Sequence, residues 1–376
     1  MSSTARIRTT FLLLAFGATI LPLRVAFGEP TKCAQAIAKA NALFVQTKTT
    51  LLARCEAAKI AGKLPAVTDC HADAKTATAI AKAVDKQSDA IGKACGGKDK
   101  TCGGDPTGED APGAIGFAAS CPDIDGAGCS NGIADCGGVT TCVGCIGETA
   151  VDDAIALAVG KLVPGATDKA VLACQRAIAK AASTFTSAES KALQKCWAAR
   201  LAGKHANACP DPGDGKAGPA IAKAMTKLHD TVCKACGGRD KACGTGDDLT
   251  PAQIGFAVTC PAVRVPGGGP DCSAIGTIGS LDTLAECVSC VSRHEVDCAT
   301  DAAIPGVVPY PGDALLDDDD RAVHAQREPR VRLADGRIAR GPGLGVRRSR
   351  LAGQGVGGVE GAPHAASVGD LRDLRD

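Results

Sequence analysis

Large side chains are scarce in this chain. Of its 376 residues only 2% are aromatic, with one Trp, one Tyr and seven Phe, and there are two Met. A core of Ala with a few Ile, Val and Leu buries little apolar area per residue. At about 25 cal/mol per Å² it offsets chain entropy poorly. A surplus of one charge is also missing, since 42 Lys and Arg face 41 Asp and Glu. By segment the formal charge is −3 over 29–165, +1 over 166–312 and zero over 313–376. With no basic excess and few stacking aromatics, nucleic acid is not an expected partner. No GxSxG, HExxH or P-loop pattern occurs, so neither an enzyme nor a cofactor is expected.

Cysteine, by contrast, is abundant, with 21 in the chain. The N-terminus explains the chemistry they would follow. Arg6 and Arg8 form a basic start, Phe11–Leu23 is apolar, and Ala26-Phe27-Gly28 supplies small residues for cleavage. Residues 1–28 thus read as a signal peptide, because an apolar run of about 13 residues is too short to span a bilayer. The expected location is secreted, periplasmic or at the cell surface, with no integral membrane segment after cleavage. Exported cysteines oxidise, so disulfides come before metal thiolates. Each bond contributes about 2–4 kcal/mol, which makes up for the meagre core.

The cysteines lie in a tandem duplication. CAQAIAKANALFVQTKTTLLARC at 33–55 reappears as CQRAIAKAASTFTSAESKALQKC at 174–196, and ACGGKDKTCG at 94–103 as ACGGRDKACG at 235–244. IGFAASCP at 115–122 matches IGFAVTCP at 254–261, and CVGC at 142–145 matches CVSC at 287–290. Two repeats follow, 31–165 and 168–312.

Each repeat opens with an amphipathic helix. Cys33, Ile37, Ala40, Phe44, Leu51 and Cys55 share one face with Lys and Thr opposite, and Cys174 to Cys196 repeats the pattern. A second helix carries Ile80, Val84, Ile91 and Cys95, matched by Ile221, Met225, Leu228, Val232 and Cys236, and Gly-Gly ends it in both copies. A short connection predicts an antiparallel hairpin. Cys33 and Cys55 stand about 33 Å apart on one helix, too far for a disulfide. The hairpin therefore predicts Cys55–Cys70 and Cys33–Cys95, then Cys196–Cys209 and Cys174–Cys236. It leaves open the pairing of Cys102, Cys121, Cys129, Cys136, Cys142 and Cys145.

Beyond each hairpin the chain is rich in Gly, Pro and Asp and should be irregular. One helical turn is expected at Thr250-Pro251-Ala252-Gln253, with Thr as cap. A third helix is expected from near Cys142, with its counterpart from about Leu281. The CxxC pairs Cys142–Cys145, Cys233–Cys236 and Cys287–Cys290 lack the His of a haem site and the strands of a thioredoxin. Each reads as a helix-start pair bonded to two different loops. Asp123-Ile124-Asp125-Gly126 lacks the later ligands of a calcium loop and reads as a turn. His71, His205, His229 and His294 have no counterparts in the other copy.

The recurring AIAKA, CGGKDKxCG, IGFxxxCP and closing CxxC resemble exported, cysteine-rich tandem-repeat proteins of bacteria. The resemblance spans about 31–312 and implies export and a stapled helical domain, but brings no activity or ligand with it. The expected fold is mainly α: two disulfide-stapled helical-hairpin units with irregular Cys- and Gly-rich loops, then a disordered tail over 313–376. The expected role is an exported structural or binding module of unknown partner. A thiolate store for copper or zinc and an extracytoplasmic enzyme are the alternatives.

The tail differs in kind from what precedes it. All 22 Lys lie between Lys32 and Lys241, whereas 11 of 20 Arg fall in 313–376 and no Cys follows Cys298. With ten cysteines in the first repeat and eleven in the second, one thiol is left over. We expect that 313–376 is read in a shifted frame and that a cysteine downstream in the native frame completed the set. Sequencing the coding DNA should reveal a cysteine codon there, and its absence from both alternative frames would end the idea.

Overall fold

The computed structural model describes residues 30–103, 108–123, 128–159, 168–263 and 270–304, with the backbone of two short strands further on. It is mainly helical. Seven α-helices run in chain order: α1 Pro30–Ile60, α2 Ala74–Cys95, α3 Cys136–Val159, α4 Lys169–Leu201, α5 Ala217–Cys236, α6 Pro251–Ile254 and α7 Leu281–Ala302. The signal peptide expected at 1–28 lies outside the described residues. Within 313–376 the described backbone is a pair of strands, β1 Arg330–Arg332 and β2 Ile338–Arg340, paired antiparallel. They form part of a second unit, Glu328–Asp376.

Local chemistry accounts for the helix ends. The Thr76 N–H donates to Asp73 Oδ2 (3.0 Å) to cap α2, and the Ala170 N–H donates to Asp168 Oδ1 (2.7 Å) to cap α4. Thr250 with Gln253 and Ser280 with Thr283 form capping boxes on α6 and α7. In the first repeat Pro112–Ile115 is only a 3₁₀ turn, and Ala111 before it offers no side-chain cap. Gly-Gly stops α2 for two separate reasons. A Cβ on Gly96 would run into the Thr101 backbone, while Gly97 has φ +67°.

The third helix begins six residues earlier than Cys142. Gly137 and Gly138 lie inside α3, although glycine disfavours a helix interior. A Cβ on Gly138 would come within 2.9 Å of Ile133 Cα, so only glycine lets the chain fold back so closely. Asp135 Oδ1 accepts the Gly138 N–H (2.8 Å), and a disulfide from Cys102 ties Cys136 down.

α1 packs on α2 and α4 on α5, and the two repeats share a core rather than standing apart. α1 lies along α4 and α3 along α7. Phe44 and Phe185 are fully buried at matched positions in α1 and α4. Polar side chains cross the seam: Asn41 Nδ2 donates to Ala299 O (2.6 Å), and Ser190 Oγ to Ala42 O (3.3 Å).

Loop-closure entropy ranks the disulfides. Cys174–Cys236 closes 62 residues and Cys233–Cys243 only 10. Replacing both cysteines of the long pair by Ser should cost about 4 kcal/mol, and of the short pair about 3 kcal/mol. Urea unfolding of the two double variants checks this. A larger loss from the short pair would mean that packing strain, not loop length, sets the order.

Candidate functional site

Twenty of the 21 cysteines form ten disulfides. Cys33 is bonded to Cys95 (Cα–Cα 4.9 Å) and Cys55 to Cys70 (5.8 Å), one at each end of the α1–α2 hairpin. Cys174–Cys236 (4.8 Å) and Cys196–Cys209 (6.0 Å) do the same for α4–α5. Two further pairings recur in both repeats. Cys121–Cys142 matches Cys260–Cys287, and Cys129–Cys145 matches Cys272–Cys290, so these CxxC pairs each hold two different loops.

Cys233–Cys236 is a different case. It sits at the end of α5 rather than at a helix start, because the Gly-Gly stop follows it directly. Cys236 closes the hairpin while Cys233 takes Cys243. Cys243 aligns with Cys102, whose partner is Cys136 on α3. One conserved sulfur of the repeat thus has two destinations: forward to the next helix in the first copy, and back to its own helix in the second.

The odd cysteine is Cys298, buried in α7 with its Sγ 3.8 Å from His294 Nε2. Around it the C-terminal half of α7 is unusually polar for a buried surface. Ser292, His294, Glu295, Asp297 and Asp301 are all buried.

Matched buried positions in the two copies carry opposite charges. Lys48 on α1 is only 3% exposed, although its charge suggested the solvent face. Its Nζ lies 2.9 Å from Asp152 Oδ1 and donates to Glu148 O (3.0 Å) on α3. From the side, His71 Nε2 meets Asp152 Oδ1 at 2.9 Å. The equivalents of Lys48, Asp152 and Glu148 are Glu189, Asp297 and Arg293. An anion thus replaces the buried cation, and the cation moves one turn along the opposing helix. Arg293 Nε reaches Glu189 Oε1 only at 3.5 Å.

The electrostatics diverge accordingly. Burial alone would raise the Asp152 carboxyl, but the Lys48 charge and the His71 hydrogen bond hold it below its usual value. The hydrogen bond to Asp152 in turn raises His71. In the second copy, burial and then the Asp297 charge push Glu189 well up, with Arg293 opposing. Burial pushes Asp297 to about 7 against the charges of Arg293 and His294, and raises Asp301 with help from Asp297. The first site is a closed ion pair. In the second, burial favours the protonated carboxyls.

A pocket of about 320 Å³ lies beside this region, lined by Asp153, Ala156 and Leu157 of α3, Ala257, Thr259 and Pro261 after α6, and Val291 and Glu295 of α7. Its volume is at the lower end of the small-ligand range. Two groups could offer metal ligands, His229 with Cys233, Cys243 and Asp282, and Cys196 with His205 and Cys209, though both include bonded cysteines. The Gly128 N–H donates to Asp123 Oδ1 (2.6 Å), while 124–127 lie outside the described residues. Among the described residues no helix is long and apolar enough to cross a membrane. No protein-family model, curated protein or solved structure matches the chain.

The raised carboxyls set a pH dependence. Unfolded carboxyls titrate near about 4. From there to about 7 the folded chain keeps protons that the unfolded chain releases, so stability falls as pH rises through that window. His71 acts in the same direction, its contribution being in place below about 6.5 and lost as pH rises through its raised folded value. Asp152 gives way only in acid, below about 4. Tm should therefore be highest near about pH 4 and fall toward about pH 8. Asp297→Asn should remove much of that fall and leave the acid limb, as thermal unfolding across pH would show.

Proposed function

We propose that this chain is an exported, non-catalytic binding or structural module that folds in an oxidising compartment. The observation that carries this reading is the ten disulfides, four of whose pairings recur between the repeats. Structural disulfides at this density belong to oxidising compartments. They hold an Ala-rich helical frame rigid, and a rigid frame binds with less ordering cost. The pocket between α3 and α7 is the place for a small ligand, its floor set by helices stapled at Cys142, Cys145, Cys287 and Cys290. As an exported protein of the kind its motifs resemble, it would act at or beyond the cell surface.

A multi-thiolate metal store needs its sulfurs reduced, and here they are bonded to one another. Thiol titration under denaturant decides between the two. Protein isolated from its natural host under thiol-blocking conditions should show one thiol per chain, from Cys298, and 21 after reduction. Ten or more thiols before reduction would overturn the module reading in favour of storage.

A further inference from the structure

Among the described residues, the Cys233–Cys243 bond is flanked by both a histidine and an aspartate. His229 and Cys233 lie one turn apart on α5, and Cys233 Sγ is 3.7 Å from both ring nitrogens of His229. Across the gap, Asp282 in the first turn of α7 places Oδ1 2.7 Å from His229 Nε2. One ligand atom from each of His229, Cys233, Cys243 and Asp282 lies within 4.8 Å of all the others. Two thiolates, an imidazole and a carboxylate make a complete donor set for a four-coordinate zinc-type ion.

The distances suit such an ion. Bonds of about 2.3 Å to sulfur and about 2.0–2.1 Å to nitrogen or oxygen imply ligand–ligand edges of roughly 3.3–3.8 Å. The sulfur–nitrogen edge already has that length. The imidazole and carboxylate need to part by only about half an ångström to reach it. The large change is between the sulfurs, which must separate once their bond is cut. Cys243 can supply that movement, since it is half-buried in the loop after the Gly237-Gly238 stop, while Cys233 stays fixed on the helix.

The first copy serves as an internal comparison. The positions of His229, Cys233 and Asp282 are held there by Ser88, Gly92 and Gly137, and only Cys102 remains. Cys102 is bonded to Cys136, whose place in the second copy is taken by Leu281. A staple alone needs only the extra cysteine. The second copy also carries a histidine and an aspartate facing the same sulfurs. The Cys196, His205 and Cys209 group offers only three donors, and its cysteines form the hairpin staple found in both copies.

We propose that His229, Cys233, Cys243 and Asp282 form a redox-gated site for a divalent zinc-type ion, closed when the disulfide is formed and open when it is reduced. A dithiol supplies two electrons and two protons, breaking the sulfur–sulfur bond and leaving as a cyclic disulfide. The two protein thiols then lose their protons to solvent as the ion binds. His229 binds as neutral imidazole through one nitrogen, and Asp282 binds as carboxylate. The bound site carries a net charge of one minus. A disulfide oxidant, which accepts two electrons from the two thiolates and two protons from solvent and leaves as its dithiol, re-forms the bond and expels the ion.

The test uses the full oxidised chain, a limiting amount of a phosphine that does not bind the metal, and Co²⁺ as probe. Peptide mapping after alkylation identifies which bond has opened. Opening of Cys233–Cys243 should bring one Co²⁺ per chain with a thiolate-to-cobalt charge-transfer band, and no band before reduction. His229→Ala and Asp282→Asn should each weaken binding by at least the roughly 10-fold that loss of even an outer-shell partner costs in zinc sites. His205→Ala should change nothing. Absence of the band with both thiols mapped as reduced would overturn the site, as would a band indifferent to both substitutions or one that follows His205. A bond that opens only after the buried ones, or a chain that loses its helical circular dichroism when this bond alone is cut, would overturn the gate.

Discussion

The rest of the structure depends on covalent closure of helix ends. Alanine-rich faces bring helices close together but contribute little per residue, and only Phe44, Phe185 and a few Ile and Leu add bulk at the centre. Closing a 62-residue loop takes entropy from the unfolded chain that this core could not offset alone. With the ends fixed, small side chains become useful. They let α1 approach its neighbours closely enough for Ser190 of α4 to donate to Ala42 O, for Asn41 to donate to Ala299 O of α7, and for Gln87 of α2 to donate to Asn41 Oδ1.

That frame also explains how buried charge is tolerated. Lys48 and Asp152 compensate each other between α1 and α3, and His71, next to the Cys55–Cys70 bond, closes the group from the side. The second copy keeps the geometry but compensates less, with Arg293 reaching Glu189 only at 3.5 Å, and burial there favours the protonated carboxyls of Glu189 and Asp297. A less constrained bundle would open to hydrate such groups. Here hydration would require separating α4 from α7, which pack together around the stapled loops.

Much of the architecture could be read from residues. Helix ends follow from Gly-Gly, Asp, Ser and Thr, whose effects are local, and the spacing of Cys33, Cys55, Cys70 and Cys95 along two helices leaves few geometries. Three features were not legible because they depend on three-dimensional neighbours. Lys48 and Glu189 look like solvent-facing charges until α3 and α7 are placed against them. Gly137 and Gly138 look like breakers until the Gly132–Ile133 backbone is seen beneath them. Cys102 and Cys243 sit in nearly identical motifs, and only the presence of Cys136 or Cys233 nearby decides where each goes. The candidate metal ligands share this last difficulty, since Asp282 is far from His229 in sequence and meets it only because α7 packs on α5.

The interlocked bonds have a mechanical consequence. A chain pulled from its two ends transmits force through sulfur wherever a disulfide bridges the path. Between Cys33 and Cys298 the bridges bypass 34–94, 103–144, 175–235 and 261–289, apart from the few residues where neighbouring bonds overlap. Only the stretches between these blocks can lengthen, the longest being the 28 residues of 146–173. Under tension the oxidised protein would therefore lengthen between Cys33 and Cys298 by far less than its residue count allows.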